Sequence, residues 1–174
     1  KVKTGLRGAA VFANVSIIDP DLTMSVPYSV VKVSGFDVFT HAVETFISKK
    51  ATPLTSIYSL MAIENVIASL PKLLKDPDDK SARVTMSFCS MMMGSNLSNS
   101  STCLPHRLQY PLGELTKTPH ALGLAALYPS WVQITYAESE QKFLSVTQKI
   151  STGLTRANIE HDKSGDILSL LNAF

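Results

Sequence analysis

Three of the four histidines and one aspartate, Asp37, His41, His106 and His120, fall into a spacing that suits a single divalent metal ion. Asp37 and His41 stand four residues apart in Gly35-Phe36-Asp37-Val38-Phe39-Thr40-His41, a stretch of helical periodicity, so both side chains project from one face. His106 and His120 each follow a proline directly, in Leu104-Pro105-His106 and Thr118-Pro119-His120, and proline at a helix start is an N-terminal signal. Each imidazole is therefore expected in a first helical turn, where the positive end of the helix dipole disfavours imidazolium and leaves a lone pair to donate. A mixed imidazole and carboxylate set suits Fe(II), Zn(II), Mn(II) or Co(II), and the donor types alone do not choose among them. Taken singly, each residue has a plainer reading. An Asp and His at i and i+4 also describe an ordinary helix-surface pair, and a lone histidine is more often surface or hydrogen-bonded core. The remaining histidine, His161, lies in the polar stretch Asn158-Ile159-Glu160-His161-Asp162-Lys163 and reads as part of a solvated loop.

Helices must position these groups. The periodicity becomes helical after Pro27 and predicts one helix over about 35–47 and a second over about 54–74. In the second, Leu60, Ile63, Ile67, Leu70 and Leu74 form a stripe, and Pro71 is expected to kink or shorten it. Asp76-Pro77-Asp78-Asp79 is a turn. The helix that follows, about 80–98, is apolar on most sides and is expected to be central and buried. Its Met91-Met92-Met93 run points three ways around the helix, so it reads as core filler rather than a thioether ligand set, and Gly94 suggests a close helix approach. A nearly all-apolar helix follows His120, then amphipathic segments over about 138–150 and 166–173. The only strand candidates are Ala9-Ala10-Val11-Phe12 and Val15-Ser16-Ile17-Ile18. The expectation is an all-α multi-helix bundle forming one domain over 1–174, with at most a short strand pair in the first 33 residues and helices over 34–174.

Composition bounds the function classes. A chain of 174 residues with 45% hydrophobic content can bury one substantial core. A net charge of +2 with dispersed basic residues argues against nucleic acid as a partner. Cys89 and Cys103 form neither a C-x-x-C pair nor a disulfide framework, which suggests a reduced, cytoplasmic setting. No uninterrupted apolar run approaches the ~20 residues needed to cross a bilayer, so no membrane partner is expected.

At the residues named first the sequence resembles the iron-containing (group III) alcohol dehydrogenase family. The resemblance takes in Asp37-x3-His41-Ala42-x-Glu44, Ala51-Thr52-Pro53, Gly94-x-x-x-Ser98-Asn99, His106, Pro111-Leu112-Gly113, Pro119-His120 and Tyr128-Pro129, and runs from about Ile17 to Trp131. In that family the Asp and three His are the metal ligands, and all four are present here. The resemblance implies the C-terminal helical domain of an NAD(P)-dependent alcohol dehydrogenase or aldehyde reductase. Its divalent metal, Fe(II) with Zn(II) as the second choice, would act as Lewis acid on a small alcohol or aldehyde. A homo-oligomer is compatible with it.

Three positions depart from the family pattern. Tyr110 stands where the family usually has a site-lining histidine, and a phenol can relay a proton though its ordinary pKa near 10 makes it a poor base at neutral pH. Ala121 replaces the usual glycine after the last ligand. Arg107 replaces a small residue; it faces solvent or offers a guanidinium to an anionic substrate group. No G-x-G-x-x-G cluster exists among the eight glycines, so the family's N-terminal nucleotide-binding domain is expected to lie outside this chain, and the chain alone is expected to be inactive. Two other readings compete: a glycerol dehydrogenase or dehydroquinate synthase type of enzyme domain, and a helical interaction or structural domain with a vestigial metal site.

Overall fold

The change of periodicity after Pro27 becomes α1, Tyr28–Ile47, in a computed structural model that describes residues 8–174. Six more α-helices follow: α2 (Pro53–Lys75), α3 (Lys80–Asn99), α4 (Leu104–Thr116), α5 (His120–Thr135), α6 (Glu140–Arg156) and α7 (Ile167–Ala173). The fold is all-α, and among the described residues there is no strand. This agrees with an all-α bundle carrying at most a short strand pair, but the two strand candidates themselves do not form strands: Ala9–Val11 is a 3-10 turn, residues 15–18 take no regular structure, and Val11, Phe12, Val15 and Ile17 are all exposed. An apolar run makes a strand only where a partner offers a ladder and a buried face, and among the described residues neither is present. The helical region also starts before residue 34, at Tyr28.

The central element is α2, which packs on α1, α3 and α6. Thr52 opens it with a reciprocal cap: Thr55 N donates to Thr52 Oγ1 at 3.2 Å, Thr52 N donates to Thr55 Oγ1 at 2.8 Å, and Pro53 fills the first turn. The helix runs through Pro71 to Lys75 and is not shortened there. Ala62, Ile63, Val66 and Ile67 are fully enclosed. By length and composition α2 would also pass as a membrane span, but Ser59, Glu64, Asn65 and Ser69 interrupt its apolar run and its inner face belongs to the bundle core.

The close approaches to α2 occur at Gly35 and Gly153. A Cβ on Gly153 would come 2.7 Å from Ile67 Cβ and 2.8 Å from the Glu64 carbonyl oxygen, so α6 lies directly on α2. A Cβ on Gly35 would meet Leu70 at 2.6 Å. Gly94, the expected contact glycine, has open space around it, which corrects that reading. The helix that bears it is peripheral rather than central: Val84, Phe88, Met91 and Leu97 of α3 are exposed, while Cys89, Met92 and Met93 face the core. His161 is likewise not a solvated loop residue. Its Nδ1 donates to Ile159 O at 2.9 Å and its Nε2 meets Ser151 Oγ at 3.0 Å on α6.

Candidate metal centre

Three helices bring the four candidate ligands together. Asp37 and His41 lie one turn apart on α1, His106 lies in the first turn of α4, and His120 is the first residue of α5. The hairpin between α4 and α5 turns on Lys117, whose φ of 60° is left-handed. Tyr128 of α5 ties the hairpin to α1: its hydroxyl donates to Thr40 O at 3.0 Å, between Asp37 and His41 in sequence. Burial pushes the Tyr128 phenol well above its usual pKa, so it stays a hydrogen-bond donor.

The three imidazoles converge on one carboxylate. His41 Nε2 is 3.6 Å from Asp37 Oδ2, and His106 Nε2 and His120 Nε2 are 3.7 and 3.6 Å from Asp37 Oδ1. The rings of His41 and His106 are 4.4 Å apart by centroid, those of His106 and His120 5.3 Å. These separations are too long for hydrogen bonds. They match the edge of a tetrahedral ligand cage, which is roughly 3.3–3.6 Å for bonds of 2.0–2.2 Å. Donor atoms of Asp37, His41 and His106 lie within 4.8 Å of one another. His106 Nε2, the atom that faces Asp37, is buried with no hydrogen-bond partner, an expensive arrangement for a ring nitrogen unless a cation takes up its lone pair. The residues present thus fit a divalent cation.

Electrostatics point the same way. Burial raises the Asp37 carboxyl, but the facing His106 and His41 imidazoles outweigh it and hold the group well below the usual carboxylate range. Burial opposes charge on His106, yet the Asp37 and Glu44 carboxylates on either side push its pKa up to about 9. A cavity that retains a proton this strongly favours positive charge. Cys103 is close by, but burial and then the Glu44 carboxylate push its thiol up to about 12, so it offers no thiolate.

Two residues that carried no assigned role in the sequence complete the arrangement. Glu44, 0% exposed, accepts from His106 Nδ1 at 2.8 Å through Oε1 and from the Cys103 N–H at 2.6 Å through Oε2. Gln109, buried, meets His120 Nδ1 with its Oε1. The legible signal for Glu44 is its place one turn after His41 on the same face, and for Gln109 its place one turn after His106. Tyr110 is half-buried and stacks on His120, with ring centroids 6.2 Å apart and planes at 18°. Arg107 is exposed and makes none of the contacts that join the four groups.

A helical bundle of this kind occurs in solved oxidoreductases. Maleylacetate reductase from Agrobacterium tumefaciens superposes with a TM-score of 0.80 over 90% of this chain and 46% of its own, at 25% identity. Residues 31–174 match the model of the Fe-containing alcohol dehydrogenase family, C-terminal, and the chain belongs to that family. It is 38% identical over 117 residues to long-chain-alcohol dehydrogenase 1 of Geobacillus thermodenitrificans strain NG80-2, covering 67% of this chain and 30% of the relative. To 1,3-propanediol dehydrogenase of Klebsiella pneumoniae it is 29% identical over 142 residues, covering 82% and 37%. The chain therefore spans only 30 to 37% of the length of these two curated relatives.

Proposed function

We propose that this chain is the metal-holding part of an NAD(P)-dependent alcohol dehydrogenase or aldehyde reductase, with Asp37, His41, His106 and His120 as the ligands of one divalent ion, iron in first place and zinc in second. The observation that carries the reading is the approach of three imidazole Nε2 atoms to one carboxylate at 3.6–3.7 Å. When bound, such an ion supplies Lewis-acid polarisation of an alcohol or carbonyl oxygen while hydride passes to or from a nicotinamide.

The chain's own residues set the conditions for that chemistry. Glu44 accepts from Nδ1 of His106, which keeps the proton there and turns the Nε2 lone pair inward. The site is closed on one side and open on the other: His106 is 2% exposed, Asp37 28% and His120 31%. Substrate therefore approaches past Asp37 and His120. Tyr110, stacked on His120, is assigned to the substrate side, where its hydroxyl can relay a proton. Arg107, at the surface one residue beyond His106, suits an anionic substrate group only at the rim. The nicotinamide cofactor is held mainly by a nucleotide-binding domain outside these 174 residues, and the chain alone is inactive.

Equilibrium dialysis of the purified chain against Fe(II) under anaerobic conditions, and against Zn(II), tests the proposal. About one ion per chain is expected, lost in His41→Ala and in His120→Ala. A folded chain that takes up neither ion overturns the reading and leaves a helical domain with a vestigial site.

A further inference from the structure

We infer that Gln109 is a positioning residue of this centre, its amide oxygen fixing the tautomer of His120 so that the ring presents Nε2 to the other ligands. The inference rests on the metal-holding reading above. A carboxamide oxygen only accepts, so in its hydrogen bond with His120 the proton sits on Nδ1 and the Nε2 atom carries the lone pair. That Nε2 is the atom 3.6 Å from Asp37 Oδ1. A histidine without such a partner divides between two tautomers, one of which turns an N–H toward the ligand set.

The packing around the amide is an independent observation. Gln109 is 1% exposed, an unusual place for a long polar side chain, which gives up hydration and rotamer freedom to lie there. The slot that holds it is bounded by two glycines. A Cβ on Gly113, one turn along α4, would come 2.7 Å from Gln109 Nε2. A Cβ on Gly123, one turn beyond His120 on α5, would come 3.0 Å from Gln109 Cγ and 3.3 Å from Nε2. Both helices of the hairpin thus lack a side chain where the amide passes between them. If filling space were the only requirement, an apolar residue would do it without desolvating an amide. The amide's use is polar, and its polar contact is with His120. The two helix-start histidines are therefore held differently: His106 by the charged Glu44, His120 by a neutral amide.

Gln109→Leu removes the acceptor at nearly constant volume, and Gln109→Glu retains it. Long-range 1H–15N NMR of histidine in the metal-free 174-residue chain reads the tautomer of each ring, and competition with a chelator reads Zn(II) affinity. In the wild type His120 is expected in the Nδ1–H form alone. Gln109→Leu should give a mixture of tautomers and weaken Zn(II) binding by about 10–100-fold. Gln109→Glu retains the acceptor and, read at a pH where His120 is neutral, should keep Nδ1–H as its tautomer with Zn(II) affinity nearer wild type than Gln109→Leu, a rescue that a purely packing role does not explain. Should Gln109→Leu fail to fold, Gly123→Ala, which presses on the amide while leaving Gln109 in place, is expected to disturb the same His120 signal. A folded Gln109→Leu with one His120 tautomer and wild-type Zn(II) affinity overturns the inference alone. A wild-type chain that binds no Zn(II) and no Fe(II) overturns the metal reading beneath it.

Discussion

Glu44 Oε1 lies 2.8 Å from His106 Nδ1, and both side chains are almost completely enclosed, at 0% and 2% exposure. The same carboxylate receives the Cys103 N–H at 2.6 Å, one of the donors at the start of α4 that no side-chain cap satisfies. A single buried anion on α1 therefore fixes both the ring of His106 and the position of the helix that carries it. Negative charge at a helix N-terminus is favourable in its own right.

Glu44→Ala is accordingly expected to be costly twice over. It takes the Nδ1 partner from a buried imidazole and the acceptor from a part-buried N–H, a loss of about 3–5 kcal/mol for a broken buried pair. Urea denaturation of the metal-free chain should show it as a fall in midpoint at unchanged slope. A midpoint within error of wild type would show that the pair does not support the fold.

The pKa of His106, raised to about 9, has two consequences with defined signs. In the metal-free chain the pair with Glu44 and Asp37 gives stability that is fully present below the unfolded imidazole value near 6.5 and is lost as pH rises through about 9. Metal uptake at neutral pH must expel that proton, so apparent Zn(II) affinity should rise with pH up to about 9 and then level. Calorimetric titrations at pH 7 in buffers of different ionisation enthalpy measure the released proton directly; a buffer-independent enthalpy would contradict it.

Two glycines on different helices should respond in opposite directions to alanine. Gly94→Ala meets open space in an exposed helix interior and should stabilise by about 0.5–1 kcal/mol. Gly153→Ala places a methyl 2.8 Å from the Glu64 carbonyl oxygen and 2.7 Å from Ile67 Cβ, and should destabilise by about 1–3 kcal/mol. Thermal melts of the two variants decide whether α6 or α3 makes the intimate helix contact.

Tyr110→Phe keeps the ring that stacks on His120 and removes only the hydroxyl. In an enzyme completed by its nucleotide-binding domain, kcat/KM is expected to fall by about 10²-fold or more, with a changed pH profile. An unaltered rate and profile would restrict Tyr110 to packing.

Much of this centre is legible in the amino-acid sequence alone. Asp37 and His41 declare themselves because a helix places residues four apart on one face, and His106 and His120 because each proline marks a helix start, so local rules suffice to name all four. The all-helical class follows from periodicity. What local rules cannot supply is which surfaces meet. The apolar composition of α3 suggests a central helix, yet centrality belongs to α2, because burial depends on how many neighbours a helix receives and not on its own hydropathy. Ala9-Ala10-Val11-Phe12 reads as a strand candidate but finds no strand to pair with among the described residues. Gly94 and Gly153 are indistinguishable as letters; only the path of α6 over Ile67 makes the second indispensable. Gln109 carries no sequence signal beyond its spacing from His106, since its role depends on a helix beginning eleven residues later turning back to present His120. The sequence determined the chemical groups and the helices that bear them, because both are set within a few residues. The tertiary structure decided the convergence of three helices on one carboxylate and the outer partners of their imidazoles, because those contacts between helices join residues from 11 to 83 positions apart in the chain.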